Sequence, residues 1–177
     1  MPQSDGGLPW RNRVEVFATD PANKVYGGVW DNDKSFAVPG GGIDPGEDPT
    51  DAAIREYLEE TGLTITEPEL LGIGPIDHPW SEELQKKKNF AGSRTHFIRA
   101  KIDPNQSPNS QLDYWGAAER GWYEPEKALE LMRDKQYQAP VVAQARIKVL
   151  QQLLAAAQAK QNDTLADVGR QAANAAS

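Results

Sequence analysis

Cysteine is absent from these 177 residues and histidine occurs only twice, so neither a disulfide framework nor a Cys/His zinc centre is available. No apolar run approaches the length of about 18 residues that a membrane-spanning helix needs, and the first residues lack the apolar core of a signal peptide. Basic charge is scarce as well: 19 Lys and Arg stand against 26 Asp and Glu, giving a formal net charge of −7. Broad nucleic-acid or anionic-membrane binding needs the opposite balance. These absences lead us to expect a cytoplasmic protein with no nucleic-acid or membrane partner. An acidic chain that handles phosphates needs a metal ion or local cations to overcome repulsion.

What the chain does have is concentrated between Gly40 and Leu63. Three glycines and a Pro45-Gly46 turn lead to a short helix expected over Pro49 to Thr61. Asp48 stands at the N-cap position, Pro49 opens the first turn, and Gly62 suits a left-handed C-terminal cap. At about 100° per residue, Glu60 lies roughly 40° from Glu56, and Glu59 roughly 60° to the other side. Three carboxylates therefore share one narrow face. An acidic turn of this kind, taken alone, is more often a solvated surface, and like charges so spaced cost a few tenths of a kcal/mol per pair. A hard divalent cation turns that cost into a binding site. Ile54 and Leu58 point away from Glu56 and are expected to pack inward. Arg55, with carboxylates all around it, reads as a clamp that fixes their rotamers.

Elsewhere, Arg13 to Thr19 and Lys24 to Trp30 read as two strands around an Asp20-Pro21 turn, followed by a brief strand over Ser35 to Val38. Glu69 to Ile76 is expected to be extended, His78 to Gly92 an irregular polar insert, and Thr95 to Ile102 a strand. A last strand over Arg120 to Tyr123 precedes a helix from Pro125 to about Asp134. This order suits an α/β (α+β) layered domain. A long helix is expected from Ala139 to Lys160, with Ala143, Ile147, Leu150 and Leu154 in one stripe and Val142, Val149 and Leu153 widening it. The stripe packs on the chain's own sheet or on a second subunit, as in a homodimer. We divide the chain into a flexible arm (1–10), one domain (11–138), and a C-terminal helix with a fraying Ala- and Gln-rich tail (139–177).

The acidic helix and its approach resemble the Nudix box, Gly-x5-Glu-x7-Arg-Glu-U-x-Glu-Glu-x-Gly-U, where U is bulky and apolar. Gly41, Glu47, Arg55, Glu56, Glu59, Glu60 and Gly62 fill its fixed positions, and Leu63 the second U. Tyr57 stands at the first U, where the family usually carries an aliphatic side chain. The resemblance implies a Nudix-like α/β/α sandwich with a mixed sheet, here with a C-terminal helical extension. It implies a hydrolase that uses Mg²⁺, or Mn²⁺, to cleave a pyrophosphate bond in a nucleoside diphosphate linked to another group. Carried over by position, Glu56, Glu59, Glu60 and the Gly40 carbonyl hold metal, and Glu47 supports them. The general base is then Glu119, with Glu56 or Glu59 as the competing assignment and Asp113 and Glu124 as weaker ones. Gly41 and Gly42 allow close approach of phosphates, and Arg94 and Lys86 to Lys88 are further cations for them.

The substrate partner is a nucleotide small molecule. Pro79, sixteen residues past Leu63, has an offset resembling ADP-ribose pyrophosphatases. A house-cleaning nucleoside triphosphate pyrophosphatase is the alternative, and a silent Nudix-fold binding module the third reading. Trp30, Trp80, Tyr114 and Trp115 are candidates to stack on a base or to pack in the core. His96, in a strand, reads as structural.

Overall fold

A computed structural model describes residues 7–32, 34–103, 105–109, 111–112, 117–133 and 140–176. Asp113, Tyr114 and Trp115 lie outside the described residues. The elements in chain order are β1 (Trp10–Thr19), β2 (Val25–Val29), β3 (Phe36–Ala37), β4 (Gly40–Gly42), α1 (Pro49–Thr61), β5 (Ile65–Leu70), β6 (Ile76–Pro79), α2 (Glu82–Lys88), β7 (Gly92–Ile102), β8 (Ala118–Tyr123), α3 (Pro125–Arg133) and α4 (Pro140–Ala175).

One mixed sheet organises them. Its spine runs β3-β2-β1-β7-β5, with β4 on β1, β6 on β7 and β8 on β2. β1 and β7 run parallel in unbroken register from Trp10↔Gly92 to Thr19↔Lys101, and the other pairings are antiparallel. Side chains alternate across this sheet. Val14, Val16, Ala18, Ile98 and Ala100 meet Ala52, Ala53 and Tyr57 of α1 on one face. Phe17 and Phe97 meet Leu129 and Met132 of α3 and Val149 and Leu150 of α4 on the other. The result is the expected helix–sheet–helix layering. The stripe on α4 is covered by the chain's own sheet, with Val142, Ala143, Val149, Leu150 and Leu153 all buried.

Helix α1 has the expected bounds. Pro49 stands at its start, Asp48 at the N-cap makes no side-chain cap bond, and Gly62 closes the helix at φ 74 with its N–H bonded to the Leu58 carbonyl. Its inward face matches expectation at Ile54, which packs partly buried against the core, and differs at Leu58. Leu58 is 48% exposed, whereas Ala52, Ala53, Tyr57, Glu60 and Thr61 are buried. Two alanines let the helix approach the sheet closely, and Tyr57 fills the space beyond them, completely enclosed. The carboxylate face therefore overlaps the packed face instead of opposing it.

Other differences are local. The extended stretch expected over Glu69 to Ile76 divides into the end of β5 and the start of β6. The insert after His78 is ordered. It contains α2, capped by Ser81, whose Oγ accepts from the Leu84 N–H at 3.4 Å, and by Asn89 in the left-handed conformation. The arm expected through residue 10 ends earlier: Trp10 opens β1, and the Pro9 carbonyl accepts from the Ala91 N–H. Helix α4 continues past Lys160 to Ala175, in keeping with its run of alanine and glutamine, strong helix formers that need no packed face to favour the helix.

Candidate active site

Strand β4 lies antiparallel to the start of β1, pairing Arg13 with Gly42, Val14 with Gly41 and Glu15 with Gly40. The glycines are required by contact. A Cβ at Gly40 would stand 2.1 Å from the Val14 carbonyl oxygen, and one at Gly41 would stand 2.1 Å from the carboxyl carbon of Glu56. Helix α1 thus presses its acidic face directly on the glycine strand. Gly40, Gly41, Gly42, Glu56 and Glu60 line one cavity of about 270 Å³ together with Arg11 and Arg13 of β1.

The carboxylates in and beside this cavity have distinct surroundings. Glu60 is buried and accepts from the Gly40 N–H at 2.8 Å. Burial raises its carboxyl to about 7, the nearby Glu56 and Glu59 carboxylates add to the rise, and the Gly40 N–H and Arg13 oppose it. Glu56 accepts from Arg55 Nη1 at 2.8 Å. Glu59 is exposed at the flank, 3.6 Å from the same nitrogen. Glu47 lies outside the cavity lining, where it receives both Nε and Nη2 of Arg55, at 2.9 and 2.8 Å. That fork and the Asp44 N–H hold the Glu47 carboxyl down at about 2.

Arg55 is the clamp that the sequence suggested. Besides the fork to Glu47 and the bond to Glu56, its Nη2 donates to the Gly42 carbonyl at 2.9 Å. One planar guanidinium therefore joins the loop before α1, the helix and β4. Arg13 has a different setting. Its charge lies close enough to lower both Glu60 and Glu15, and its buried Nε has no hydrogen-bond partner among the described residues. Glu15 in turn receives a fork from Arg146 of α4, at 2.8 and 2.6 Å. Burial alone would raise the Glu15 carboxyl, but Arg146, helped by Arg13, keeps it below its ordinary value.

Several expected residues stand elsewhere. Arg94 is locked by a fork to Asp77, at 2.7 and 2.8 Å, and its guanidinium lies 5.7 Å from the centre of the Trp10 ring. It does not line the glycine cavity. Glu119 is exposed on β8 at φ 48, and its carbonyl accepts from the Tyr123 hydroxyl. It is not part of the cavity lining either. Glu124 is exposed, 3.8 Å from Lys24. Lys86, Lys87 and Lys88 form the exposed last turn of α2, where the helix dipole favours cations. Trp30 packs against the α1-side core, and Trp80 stands edge-on to Phe90. Pro79 is exposed at the end of β6. His96 is half-buried and lines a second cavity.

Sequence reasoning passed over Arg11, Arg13 and Trp10. Charged residues at the start of a strand read as its solvated end, and only the pairing of β1 with β4 and β7 reveals their position. Among the described residues no three acidic or histidine side chains form a ready-made metal cage. The donors are turned to Arg55 and Gly40. Their chemistry nonetheless suits a hard divalent cation, being oxygen throughout.

A mixed sheet between helical layers, with an arginine-clamped acidic helix laid on a glycine strand, defines a hydrolase of the Nudix class. The profile described as NUDIX domain matches residues 6–145, and the chain belongs to that family. It is a pyrophosphohydrolase. Curated relatives include the RNA pyrophosphohydrolase of Dinoroseobacter shibae, 29% identical over 137 residues, covering 73% of this chain and 86% of that protein. The RNA pyrophosphohydrolase of Novosphingobium aromaticivorans is 29% identical over 143 residues, covering 75% of this chain and 88% of the relative. Among solved structures, the mutator MutT protein of Bacillus halodurans is similar at a TM-score of 0.49 and 20% identity, over 75% of this chain and 82% of that one.

Proposed function

We infer that this chain hydrolyses a phosphoanhydride bond of a nucleoside 5′-polyphosphate, with Mg²⁺, or Mn²⁺ in its place, as the required ion. The observation that carries this reading is the glycine cavity, where Glu56 and Glu60 face β4 beside Arg11 and Arg13. Glu56, Glu60 and the Gly40 carbonyl would hold the ion, with Glu59 within reach on the same helix turn. When bound, such an ion neutralises phosphate charge and makes a coordinated water more acidic.

The chain's own residues supply the rest. Arg11 and Arg13 bring positive charge to an otherwise acidic surface, where phosphates need it. The glycine strand admits phosphates close to the backbone. Arg55 acts as a positioning residue, holding Glu56 and Glu47 in fixed rotamers. Of the carboxylates expected to take a proton from the attacking water, Glu56 lines the cavity but is hydrogen-bonded to Arg55, Glu119 stands on β8, and Glu59 is exposed at the cavity's flank, on the same helix turn as Glu56 and Glu60. We therefore favour Glu59.

For the leaving moiety, similarity to proteins named RNA pyrophosphohydrolases supports the 5′-triphosphate end of an RNA. With a net charge of −7, the chain would grip the terminal nucleotide only and make little use of the RNA backbone. ADP-ribose, suggested by the position of Pro79, becomes the second substrate to test, because Pro79 lines neither the glycine cavity nor the one beside it. The test is a panel of 5′-triphosphorylated oligonucleotide, ADP-ribose and dNTPs, with Mg²⁺, Mn²⁺ or EDTA, reading products by chromatography. Turnover that needs metal, and that falls at least about a hundredfold in Glu59→Gln, is expected. Absence of turnover on every substrate with both ions would instead favour a binding module.

A further inference from the structure

A second cavity, of about 700 Å³, adjoins the glycine cavity and shares Arg11 and Gly42 with it. None of its walls belongs to the acidic face of α1. Trp10, Ile43, Pro45 and Phe90 give it an aromatic and apolar wall, and Arg11, Asn12, Asp44, Glu47 and His96 supply its polar groups. That mixture is typical of a site for a small heterocyclic ligand.

Trp10 is held as a rigid wall. Its backbone pairs with Gly92, where even a Cβ would come within 2.7 Å of the indole ring. The Arg94 guanidinium lies over the ring and is itself locked by Asp77, which explains an arginine that does not reach the glycine cavity. The Ala91 N–H donates to the Pro9 carbonyl at 2.8 Å and ties the ordered insert to β1 just ahead of the tryptophan. Phe90 is tethered edge-on to Trp80, with ring centres 6.5 Å apart. A preformed aromatic wall of this kind loses little entropy when a flat ring stacks on it. His96 is half-buried, and burial together with Arg94 keeps its imidazole below its ordinary value. It therefore offers one donor and one acceptor at neutral pH.

We propose that this cavity binds the base and ribose of the substrate's terminal nucleoside, with Trp10 as stacking platform, His96 as hydrogen-bonding partner and Arg11 bridging to the phosphates. The assignment rests on the function proposed above, since phosphates seated against Gly40 to Gly42 place the nucleoside across the shared wall.

Binding of GMP and AMP, without metal, to the full chain tests it by calorimetry and by NMR of the indole N–H signals. In the wild type, GMP is expected to shift the Trp10 indole signal, assigned by its loss in Trp10→Phe. Trp10→Ala is expected to weaken GMP about tenfold or more, and Trp10→Phe less than about threefold. Mg²⁺-pyrophosphate should bind to Trp10→Ala within about twofold of wild type, because stacking contributes nothing to it. An unshifted indole, or equal losses for GMP and pyrophosphate, would overturn the proposal. If Trp10→Ala does not fold, the wild-type indole shift and a weakened GMP affinity in Phe90→Ala decide the matter. Trp10-dependent GMP binding without hydrolysis of any substrate would sink the proposed function and leave this site standing. Hydrolysis with unchanged GMP affinity in Trp10→Ala would do the reverse.

Discussion

Raising the pH from 5 to 8 is expected to weaken the metal-free fold through Glu60. This carboxyl is buried between α1 and β4, and burial lifts it from 4.5 to about 7. The folded chain therefore holds this proton more tightly than the unfolded chain does. The stabilisation from Glu60 is complete below about 4.5, declines as the pH rises toward 7, and changes no further above. The interval from 4.5 to about 7, at ~1.4 kcal/mol per pH unit, sets a ceiling of about 3 kcal/mol. Solvent at the cavity mouth reduces this to roughly 2 kcal/mol. Other carboxyls do not confuse the window. Glu15, Glu47 and Asp77 are held below their ordinary values, so their contributions are already complete above about 5. His96 is lowered as well and acts in the opposite sense, gaining stability as the pH rises toward its ordinary value of 6.5 and none above it.

Urea unfolding in EDTA at pH 5 and pH 8 measures the effect, and Glu60→Gln isolates it. The amide oxygen can still accept from the Gly40 N–H but cannot ionise. The difference between wild type and variant cancels His96 and every other common group. With a slope of about 2 kcal/mol per molar urea, the wild-type midpoint should fall relative to the variant by about 1 M between the two pH values. Mg²⁺ at pH 8 should then stabilise the wild type more than the variant, because an ion binding to the ionised carboxylate binds only the folded state. Parallel pH dependences in the two proteins would refute the reasoning.

The glycine strand gives a discriminating pair. Gly41→Ala meets only the carboxylate end of Glu56, which can turn away by giving up its Arg55 bond, so it should fold within about 1 kcal/mol of wild type yet lose about a hundredfold in turnover. Gly40→Ala meets the Val14 backbone and should lose several kcal/mol. Thermal melts with parallel kinetics separate the two, and equal stability would show that the strand can retreat. Arg146→Met strips Glu15 of its fork and should cost about 3 kcal/mol at pH 7. Because the Arg146 pairing lowers Glu15, the stability it supplies is present above about 4.5 and lost as the pH falls. In the variant the orphaned carboxyl can take a proton, so the deficit should shrink toward pH 5. A deficit independent of pH would mean that packing, not charge, carries the effect.

The bounds of α1 were legible because its stop signals are local. Pro49 can only open a helix, and Gly62 takes the left-handed turn that ends one. Helix α2 carried signals as complete: Ser81 at the cap, Glu82 and Glu83 in the first turn, lysines in the last and Asn89 after it. A polar seven-residue helix with no buried side chain has no apolar period, and periodicity is what the eye follows. The packing face of α1 was misjudged for a related reason. Ile54 does pack on the core, but leucine outranks alanine as a core residue only until a helix must lie close on a sheet, where small side chains are needed. The carboxylates had to come along with Ala53 and Tyr57 to reach the glycines.

The box described one wall of the site, and the other wall was invisible to it. Arg11 and Arg13 lie about thirty residues before the glycine strand, and Trp10 about eighty before Gly92. No local rule connects such distances, since register is set by the pairing of whole strands. Parallel β1 and β7 carry Trp10 to Arg94 and the insert, while antiparallel β4 carries Arg13 to Gly42. The residues proposed for bond cleavage therefore sit in a contiguous segment that can be read directly. The proposed grip on the substrate draws on cavity walls near residues 10, 40 and 90, so on that proposal two chains with the same box can differ in substrate by changing residues the box does not contain.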